Sequence, residues 1–548
     1  MMRVISAGVA LATLLAAMPA AAQDDNGYGG GDGGKSRGRD RKVAIAPYIE
    51  LSQVLTADVQ SGDVLTYSSA AAGVDASVET RRVSVNLSAR YEHQFAWDKN
   101  SGDADVVTGL ANAQVRVARG LSLDAGGIAT RSRNDIRGAA PVFFGNDRDN
   151  VSNVYSGYVG PTLTTGSGPI AINAAYRFAY TKVTEPGPTG VAPGSPRLDY
   201  FDDSKTQIAT ASVGFKSGTV APFGLTASGG WTRDDQSQLG NRFDDLYGRV
   251  DAVMPLSANI AVVGGVGYEK LTSSARDPLL DSAGVPVTDS RGRFVTDPNS
   301  PRRIAYQTDG IYWDAGVVWR PSPRTALEAH VGRRYGSWSY TGSLSYAPSR
   351  SVGVQVGVYD TVETFGGQLQ RSLRGLPAQF TATRDLLAQQ FSGCTFGTTG
   401  GSAAGACMNS VFQSVSTATY RSRGVDAVAT LTRGSSTLGF GVGYSNRKFY
   451  APNSPGVVII GTSDESYYAQ LFYSTSIGQH TSFNADVFAN YFDSGLAPGI
   501  YSLGATGSVS RSFGRLGTTV SLGAYTFSQK GQEDQTSAQA SLGARYQF

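Results

Sequence analysis

The chain has 548 residues, a formal net charge of +3 and two cysteines, and it is rich in Gly (68), Tyr (27) and Phe (23). Such a small net charge gives no indication of a polyanionic partner, so we expect no nucleic acid among its partners. From Lys42 onward, no apolar run reaches the roughly 18 residues of a membrane-spanning helix, which excludes a helical membrane protein.

The N-terminus is predicted to be a signal peptide, residues 1–22. A positive start precedes the short apolar stretch Val4 to Leu15, and Ala20 to Ala22 supply small residues for cleavage. An anchoring helix is the alternative, but the apolar stretch is short for one. Residues 23–41 are Gly-rich and polar, which predicts a disordered periplasmic tether. We expect an exported protein whose folded part is 42–548.

Most of 42–548 alternates apolar and polar residues with a period of two. Val83 to Tyr91 and Leu438 to Ser445 each place apolar side chains on one face only, which is typical of a β-strand. The sequence predicts an all-β fold, a closed antiparallel transmembrane β-barrel of about 22 strands (range 18–22). The predicted strands begin near residues 42, 63, 82, 103, 121, 152, 168, 204, 222, 241, 259, 309, 325, 339, 351, 415, 436, 462, 480, 498, 516 and 534.

Short and long connections alternate along the chain. The short ones include Arg119-Gly120 and Arg433-Gly434-Ser435-Ser436. The predicted long loops are 135–151, 185–203, 275–308 and 367–414. Short periplasmic turns and long extracellular loops are typical of barrels in the bacterial outer membrane.

Aromatic residues gather at the predicted strand ends. Tyr91, Tyr268 and Tyr491 lie near long loops, whereas Trp319 and Tyr346 lie near short turns. Two interfacial aromatic girdles produce this distribution. The alternative is a multi-domain secreted β protein such as an adhesin, whose many strand edges would have to be protected.

The last strand resembles the C-terminal signal of outer-membrane β-barrel proteins. The segment SLGARYQF places Ser541, Gly543, Tyr546 and Phe548 at the positions of that signal. The resemblance implies insertion by the barrel-assembly machinery into the outer membrane of a Gram-negative bacterium. Outer-membrane lipid and lipopolysaccharide would then surround the protein.

A narrower resemblance covers about three strands in the middle of the chain. Trp319 to Leu327, Gly332 to Gly336 and Tyr340 to Arg350 are similar to the outer-membrane barrels that accompany exosortase (PEP-CTERM) systems. The resemblance implies a context of exopolysaccharide production, with export proteins as partners. The resemblance assigns a functional role to no residue of this chain.

Nothing in the sequence predicts catalysis, a metal site or a cofactor. The three histidines are His93, on an outward strand position, His480, in a short turn, and His330, inward beside Glu328. They do not have metal-ligand spacing, and no nucleophile motif accompanies them. A His330–Glu328 pair is more often ordinary lumen polarity than a general base.

The two cysteines, Cys394 and Cys407, fall in the longest predicted loop. Because the periplasm is oxidising, a disulfide between them is expected. In the same loop, Ala378 to Phe391 has the pattern of a short amphipathic helix. The loop could fold inward and constrict the barrel, or cap it from outside.

Several charged residues and one histidine are predicted to face the lumen. In an open channel they would create a transverse field that selects solutes, whereas in a filled barrel they would form structural ion pairs. These residues are Arg90, Glu92, Asp314, Arg320, Glu328, His330, Arg334, Asp426, Asp486 and Arg545.

A barrel of about 22 strands is wider than its own side chains can fill. Transporters of that size place a folded plug before the first strand, and only residues 23–41 precede it here. Water, the chain's own loops or another protein are therefore the expected occupants. Two functions remain open: a porin-like channel or exopolysaccharide-associated export component, and a non-conducting outer-membrane scaffold or secretion partner.

Overall fold

The computed structural model describes most of the chain from residue 42 onward. The described ranges are 42–60, 62–97, 103–133, 151–184, 198–349, 351–376, 380–382, 394–397, 405–408, 411–412, 415–454, 457, 459–531 and 533–548. The predicted signal peptide and tether lie outside them.

A sheet of 22 antiparallel strands forms the body of the molecule. Each strand pairs with the next along the chain, and the ladder between the first and last strands, from Tyr48↔Gln547 to Asp58↔Ser537, closes the sheet. The strands are β1 (Lys42–Asp58), β2 (Val64–Glu79), β3 (Val83–Ala96), β4 (Ala104–Ala118), β5 (Leu121–Arg133), β6 (Val151–Ser167), β7 (Ile170–Thr184), β8 (Asp203–Phe215), β9 (Gly224–Gln236), β10 (Arg242–Pro255), β11 (Ile260–Ala275), β12 (Arg303–Ser322), β13 (Thr325–Arg334), β14 (Ser337–Ser349), β15 (Val352–Glu363), β19 (Thr419–Arg433), β20 (Ser436–Tyr450), β21 (Ser463–Ile477), β22 (Thr481–Asp493), β23 (Ile500–Phe513), β24 (Leu516–Gln529) and β25 (Gln535–Gln547).

The predicted fold class and the count of 22 strands are confirmed. The largest difference from a predicted start is at β12, which begins at Arg303 rather than near 309. A register shift at Ser273/Ser274 allows β12 to continue pairing with β11 up to Ala275↔Arg303, so the preceding loop is shorter than predicted.

Three further strands and one helix lie in the connection between β15 and β19. The helix is α1 (Phe365–Arg374), and the strands β16 (Phe380–Ala382), β17 (Cys394–Gly397) and β18 (Gly405–Cys407) form a separate small sheet. A single 3-10 turn, Gln238–Gly240, joins β9 and β10. In the part of the chain that the structure describes, no helix has both the length and the hydropathy needed to cross a membrane.

The alternation of residues determines the two faces of the sheet. In β20, Leu438 and Phe440 are exposed on the outer face (38% and 45%), while Gly439 and Gly441 occupy inner-face positions. In β3, Tyr91 is exposed outside, whereas Arg90 is buried inside. An apolar exterior around a polar interior is the arrangement required in lipid, because closure pairs the backbone groups that strand edges would otherwise expose.

The two rims of the barrel differ in their connections. At one rim, turns as short as Pro323–Arg324 and Gly434–Ser435 join the strands, and Gly434 takes a left-handed φ of 61° that its turn requires. The other rim carries the long connections, including 276–302 and 364–418. By the rule for bacterial barrels, the first rim is periplasmic and the second extracellular.

Outward-facing aromatic side chains mark both rims. Tyr268, Tyr467 and Tyr501 are exposed toward the extracellular side, and Trp319 and Tyr546 toward the periplasmic side. Trp319 pairs with Ile260, eight residues from Tyr268 along β11. That separation is about 26 Å along the strand and about 20 Å along the barrel axis at the usual strand tilt, close to the thickness of an outer-membrane apolar belt.

Candidate channel interior

The connection 364–418, which we call the inserted segment, enters the barrel. It begins with α1, whose N-cap Thr364 accepts a hydrogen bond through Oγ1 from the backbone N–H of Gly367 (3.2 Å). Phe365, Leu369 and Leu373 lie on one side of α1 and are fully buried. They pack in one apolar cluster with residues of β4–β7, including Val154 and Val183, and with Phe201 from the loop before β8. Each buried side chain contributes roughly 1.5–3 kcal/mol, so α1 is firmly attached to this wall.

Farther along, the inserted segment contacts the wall formed by β19–β21. Cys394 and Cys407 form a disulfide and pair with each other across β17 and β18. The backbone N–H of Cys394 donates to Oε1 of Gln470 (2.7 Å), and the ring of Phe396 stacks on Phe472 at 5.6 Å.

Two glycines of β20 make room for this contact. A Cβ at Gly439 would lie 2.6 Å from the ring of Phe396, and a Cβ at Gly441 would overlap Sγ of Cys394. Gly441 is the sixth residue of β20 counted from its periplasmic end, so the disulfide reaches past mid-height of the barrel. The inserted segment therefore folds inward, which settles the alternative that the sequence left open.

The helix predicted at Ala378 to Phe391 is wrong where the structure describes it. Phe380–Ala382 is a strand that pairs with β17, and the helix lies earlier, at Phe365–Arg374. Pairing next to the disulfide favours extended backbone over the weak helical periodicity. The remainder of the predicted helix lies outside the described residues.

At the extracellular mouth, β15, β19 and β20 lean across the opening. Residues at their outer-face positions contact residues at inner-face positions of β11 and β12, beyond the short β13–β14 hairpin. The contacts are Val362 with Leu271, Thr419 with Ser273 (Oγ1 to Oγ, 2.7 Å), and Tyr450 stacked on Tyr306 at 4.3 Å. Strand packs on strand here, so the mouth is narrowed by the barrel wall itself.

The predicted lumen charges near the β1–β25 seam form ion pairs. Nη1 of Arg90 lies 2.6 Å from Oε1 of Glu50, and its Nη2 lies 2.5 Å from Oε2 of Glu92. Arg90 and Glu92 are both buried. Arg545 pairs with Asp75 (Nη2 to Oδ2, 2.6 Å). These charges neutralise one another.

A second group of predicted residues surrounds His330. Its Nδ1 lies 3.0 Å from Oδ1 of Asp314, and its Nε2 lies 2.9 Å from Oε1 of Glu328. Asp314 also accepts from Nη2 of Arg249 at 3.0 Å. Both ring nitrogens are therefore engaged by carboxylates.

The remaining predicted lumen residues differ in their partners. Nε of Arg334 donates to Oε2 of Glu269 (3.1 Å). Asp426 accepts from the Tyr468 hydroxyl (2.6 Å), and Asp486 accepts from Nε2 of Gln470 (2.7 Å), both beside the small sheet. Arg320 is exposed at the wall of the chamber described next.

On the periplasmic side, the lumen opens into a chamber of about 890 Å³. Inner-face side chains of β10, β12 and β13 line it, among them Arg249, Asp251, Asp314, Arg320 and Glu328. Both signs of charge are present at close range. The barrel therefore combines an open, charged periplasmic chamber with a narrowed extracellular mouth.

Sequence reasoning missed the partners of the predicted charges and the role of the two glycines. Glu50, Asp75, Arg249 and Glu269 all occupy inner-face positions, so strand parity marks them as lumen residues. The alternation of β20 predicts that Gly439 and Gly441 are small residues facing the lumen. No neighbouring sequence pattern indicates that Cys394 lies against them.

No group of three or more His, Cys, Asp and Glu side chains that could hold a metal ion is present among the residues described. A scan against protein-family models finds no match, and a search of curated proteins finds none either.

Solved structures similar to this chain are outer-membrane proteins. The ferric-catecholate import receptor Fiu from Escherichia coli K12, in its open form, is 10% identical with a TM-score of 0.41, covering 94% of this chain and 82% of that chain. The siderophore receptor PiuA from Acinetobacter baumannii is 10% identical with a TM-score of 0.42, covering 91% and 82%. OccK3 from Pseudomonas aeruginosa is 10% identical with a TM-score of 0.28, covering 92% and 96%.

These likenesses are too weak to indicate a function. The class of the protein follows from its own closed strand pairing, its apolar exterior between two aromatic girdles and its charged interior. Together these features define an integral outer-membrane β-barrel.

Proposed function

We propose that the protein is a gated outer-membrane channel for small hydrophilic solutes, with the inserted segment as its constriction. The observation that carries the proposal is the seating of the Cys394–Cys407 disulfide in the cleft above Gly441, inside the lumen. A mobile or removable element at this depth can set the cross-section of the pathway.

The open periplasmic chamber, whose wall carries charges of both signs, supports this function, whereas the charges near the β1–β25 seam are paired as in a filled barrel. Arg90, Asp314 and Arg545 are each held by an oppositely charged neighbour, so the interior carries ordered charge of both signs rather than a field of one sign. Such an interior admits hydrated polar solutes, with selection set by the local charges.

Planar-bilayer conductance of the purified protein tests the proposal. Replacing 380–407 by a short Gly/Ser linker leaves α1 on its wall but removes the small sheet, and we expect larger steady current steps. The C394S/C407S double variant is the matched control, because it retains the full length of the segment. Steps of equal size in all three proteins would contradict the gate.

A non-conducting scaffold, or an export component associated with exopolysaccharide, is the second candidate. The resemblance of Trp319 to Leu327 and Tyr340 to Arg350 to barrels of exosortase systems favours it, as does a lumen filled by the chain's own segment. Silence of both the wild-type and the linker variant in bilayers would favour this candidate over the channel.

The two ends of the chain are assigned to export and membrane insertion. We propose that residues 1–22 are removed, that 23–41 form a periplasmic tether, and that Ser541, Gly543, Tyr546 and Phe548 are read by the barrel-assembly machinery. Mass spectrometry of the protein from outer membranes should show an N-terminus at Gln23, and a Phe548→Ser variant should accumulate unfolded in the periplasm.

A further inference from the structure

Three arginines come together at the extracellular rim. Arg242 begins β10, while Arg276 and Arg302 stand at the two ends of the loop 276–302. A Cβ at Gly240 would lie 3.7 Å from Nη2 of Arg302 and 3.8 Å from Cδ of Arg276, so both side chains lie over this one glycine. Burial, together with the charges of Arg242 and Arg276, lowers the pKa of Arg302. The like charges are close enough to repel one another.

This arginine cluster has little compensating negative charge in the described part of the chain. Arg242 pairs with Asp235 (Nε to Oδ1, 2.5 Å). Arg276 donates only to backbone carbonyls of its own loop, and Arg302 makes long contacts with Ser274 at 3.3 and 3.4 Å. Arg276 and Arg302 thus lie close together, and Asp235, which pairs with Arg242, is the carboxylate whose charge acts on Arg302. Three guanidinium groups against one carboxylate leave a net positive charge that an anionic ligand would relieve.

A cavity of about 60 Å³ adjoins the cluster. Arg276 belongs to the cluster and also lines the cavity. Its walls are mostly apolar and come from five different connections of the extracellular rim. The apolar side chains include Leu198, Leu239, Phe294, Val415, Val457 and Ile459. A dry cavity of roughly 150 Å³ holds benzene, so by proportion this one accommodates about two to three carbon atoms.

Asn241 and Asp199 are polar side chains of the cavity wall that a ligand could reach. Asn241 is 7% exposed, and its Nδ2 donates to the carbonyl of Thr417 (2.5 Å) while its Oδ1 is buried and unpartnered. Asp199 accepts through Oδ1 from Nε2 of Gln238 (2.7 Å) and from the Phe294 amide (3.0 Å), and the Tyr200 amide also acts on its carboxyl. Buried polar atoms left unsatisfied are costly, and a ligand or water that bonds to them removes the cost.

The carboxyl group of Asp199 does not repel a bound anion at neutral pH. Burial raises the pKa of its carboxyl to about 8, so the group is mostly protonated and uncharged below that pH. Its proton can then be donated within the cavity. Arg293, which also faces this region, is paired with Asp202 (3.0 Å).

We propose that the arginine cluster and the adjoining cavity form a binding site for a small organic anion, a carboxylate with a short apolar tail. The guanidinium groups of Arg276 and Arg302 hold the carboxylate, and the apolar walls hold the tail. The proposal deepens the channel function by naming the class of solute that is received at the extracellular mouth, and it rests on that function only in this respect.

The test is calorimetric titration of the full protein in detergent micelles with three probes. Butyrate carries both the carboxylate and the tail, butylamine carries the tail with the opposite charge, and inorganic phosphate carries charge without the tail. We expect saturable binding of butyrate that is stronger than that of phosphate, and none of butylamine.

Two arginine variants make the test specific. Arg302→Gln should weaken butyrate binding about tenfold or more, since a charge-assisted hydrogen bond is lost. Arg303→Gln is the matched control, because it removes the same charge one residue along, from a side chain paired with Asp277 (2.8 Å), and should change binding less than about twofold.

No saturable butyrate binding, equal binding of butylamine, or equal loss in both variants would overturn the site. The outcome is separable from conduction. Butyrate binding by a protein that gives no current in bilayers would contradict the channel function and support the binding site. Current steps from a protein that does not bind butyrate would support the channel function and contradict the binding site.

Discussion

The two ends of the barrel are built from the same alternating strands, but the inner face is open at the periplasmic end and covered at the extracellular end. On the periplasmic side, inner-face residues of β10, β12 and β13 border an open chamber of about 890 Å³. On the extracellular side, inner-face residues of β11 and β12 are covered by outer-face residues of β15, β19 and β20. The short β13–β14 hairpin separates the two situations. Near the mouth, β12 and β15 extend past it, so each is paired there on one side only, β12 with β11 and β15 with β19.

The difference shows what strand parity can and cannot specify. Parity states which side of a strand a residue occupies, and both ends obey it. It does not state what lies on that side, since Leu471 and Val362 share the outer face yet one is exposed to lipid and the other is buried in protein. The environment of a face depends on how far its strand leans, which is a property of the whole sheet.

The largest expected effect comes from the buried ion pair near the mouth. Both side chains of the Arg447–Asp464 pair are fully buried, so Arg447→Met would leave a buried carboxylate without its guanidinium. We expect a loss of roughly 3–5 kcal/mol in the free energy of unfolding. Arg320→Met, in the open chamber, should change it by less than about 0.5 kcal/mol.

Urea unfolding in lipid vesicles, followed by tryptophan fluorescence, measures both variants. Equal losses in the two variants would mean that the extracellular half of the barrel is as hydrated as the periplasmic chamber.

The second-largest effect is expected at the contact between the Cys394–Cys407 disulfide and Gly441. Gly441→Leu places a side chain where Sγ of Cys394 lies, and should destabilise the seated segment by about 1–3 kcal/mol and raise the open fraction in bilayer recordings. Gly357→Leu is the matched control, since Gly357 also faces the lumen but has open space around it. An unchanged current in the Gly441 variant would argue against the inserted segment as a constriction.

The covered outer face can be distinguished from the lipid-facing one by quenching. In otherwise identical proteins, tryptophan at Leu471 should be quenched strongly by brominated lipid, whereas tryptophan at Val362 should not. Strong quenching at both positions would show that β15 does not lean across the mouth.

A separate effect is a dependence of the stability of the mouth on pH. Burial raises the pKa of Asp199 to about 8, against roughly 3.9 in an unfolded chain. The folded mouth therefore binds this proton more tightly, and the stability that Asp199 contributes is complete below about pH 4 and is lost as pH rises to about 8.

Hydrogen exchange of the Phe294 amide, which donates to Oδ1 of Asp199 (3.0 Å), reports on this equilibrium. After correction for intrinsic rates, its protection should fall between pH 5 and pH 8 in the wild type and stay level in Asp199→Asn. A fall of equal size in the variant would assign the pH dependence to another group.

The sequence alone determined the strands, their two faces and the two rims. Period-two alternation is local, and it indicated the strand count, the outward position of Leu438 and Phe440, and the inward position of Arg90 and His330. Turn residues such as Gly434 are also local, and they distinguished the periplasmic rim. The oxidising periplasm and the position of both cysteines in one long loop predicted the disulfide but not the depth of the loop.

Only the tertiary structure decided how the wide interior is occupied. Arg545 pairs with Asp75 across the closing seam, 470 residues away along the chain, and Asn241 bonds to Thr417 176 residues away. The disulfide lies on Gly441 because α1 is fixed on the β4–β8 side and the segment must return to β19. A barrel of 22 strands leaves room that no local pattern can assign, and the contacts that fill it form between residues far apart in sequence.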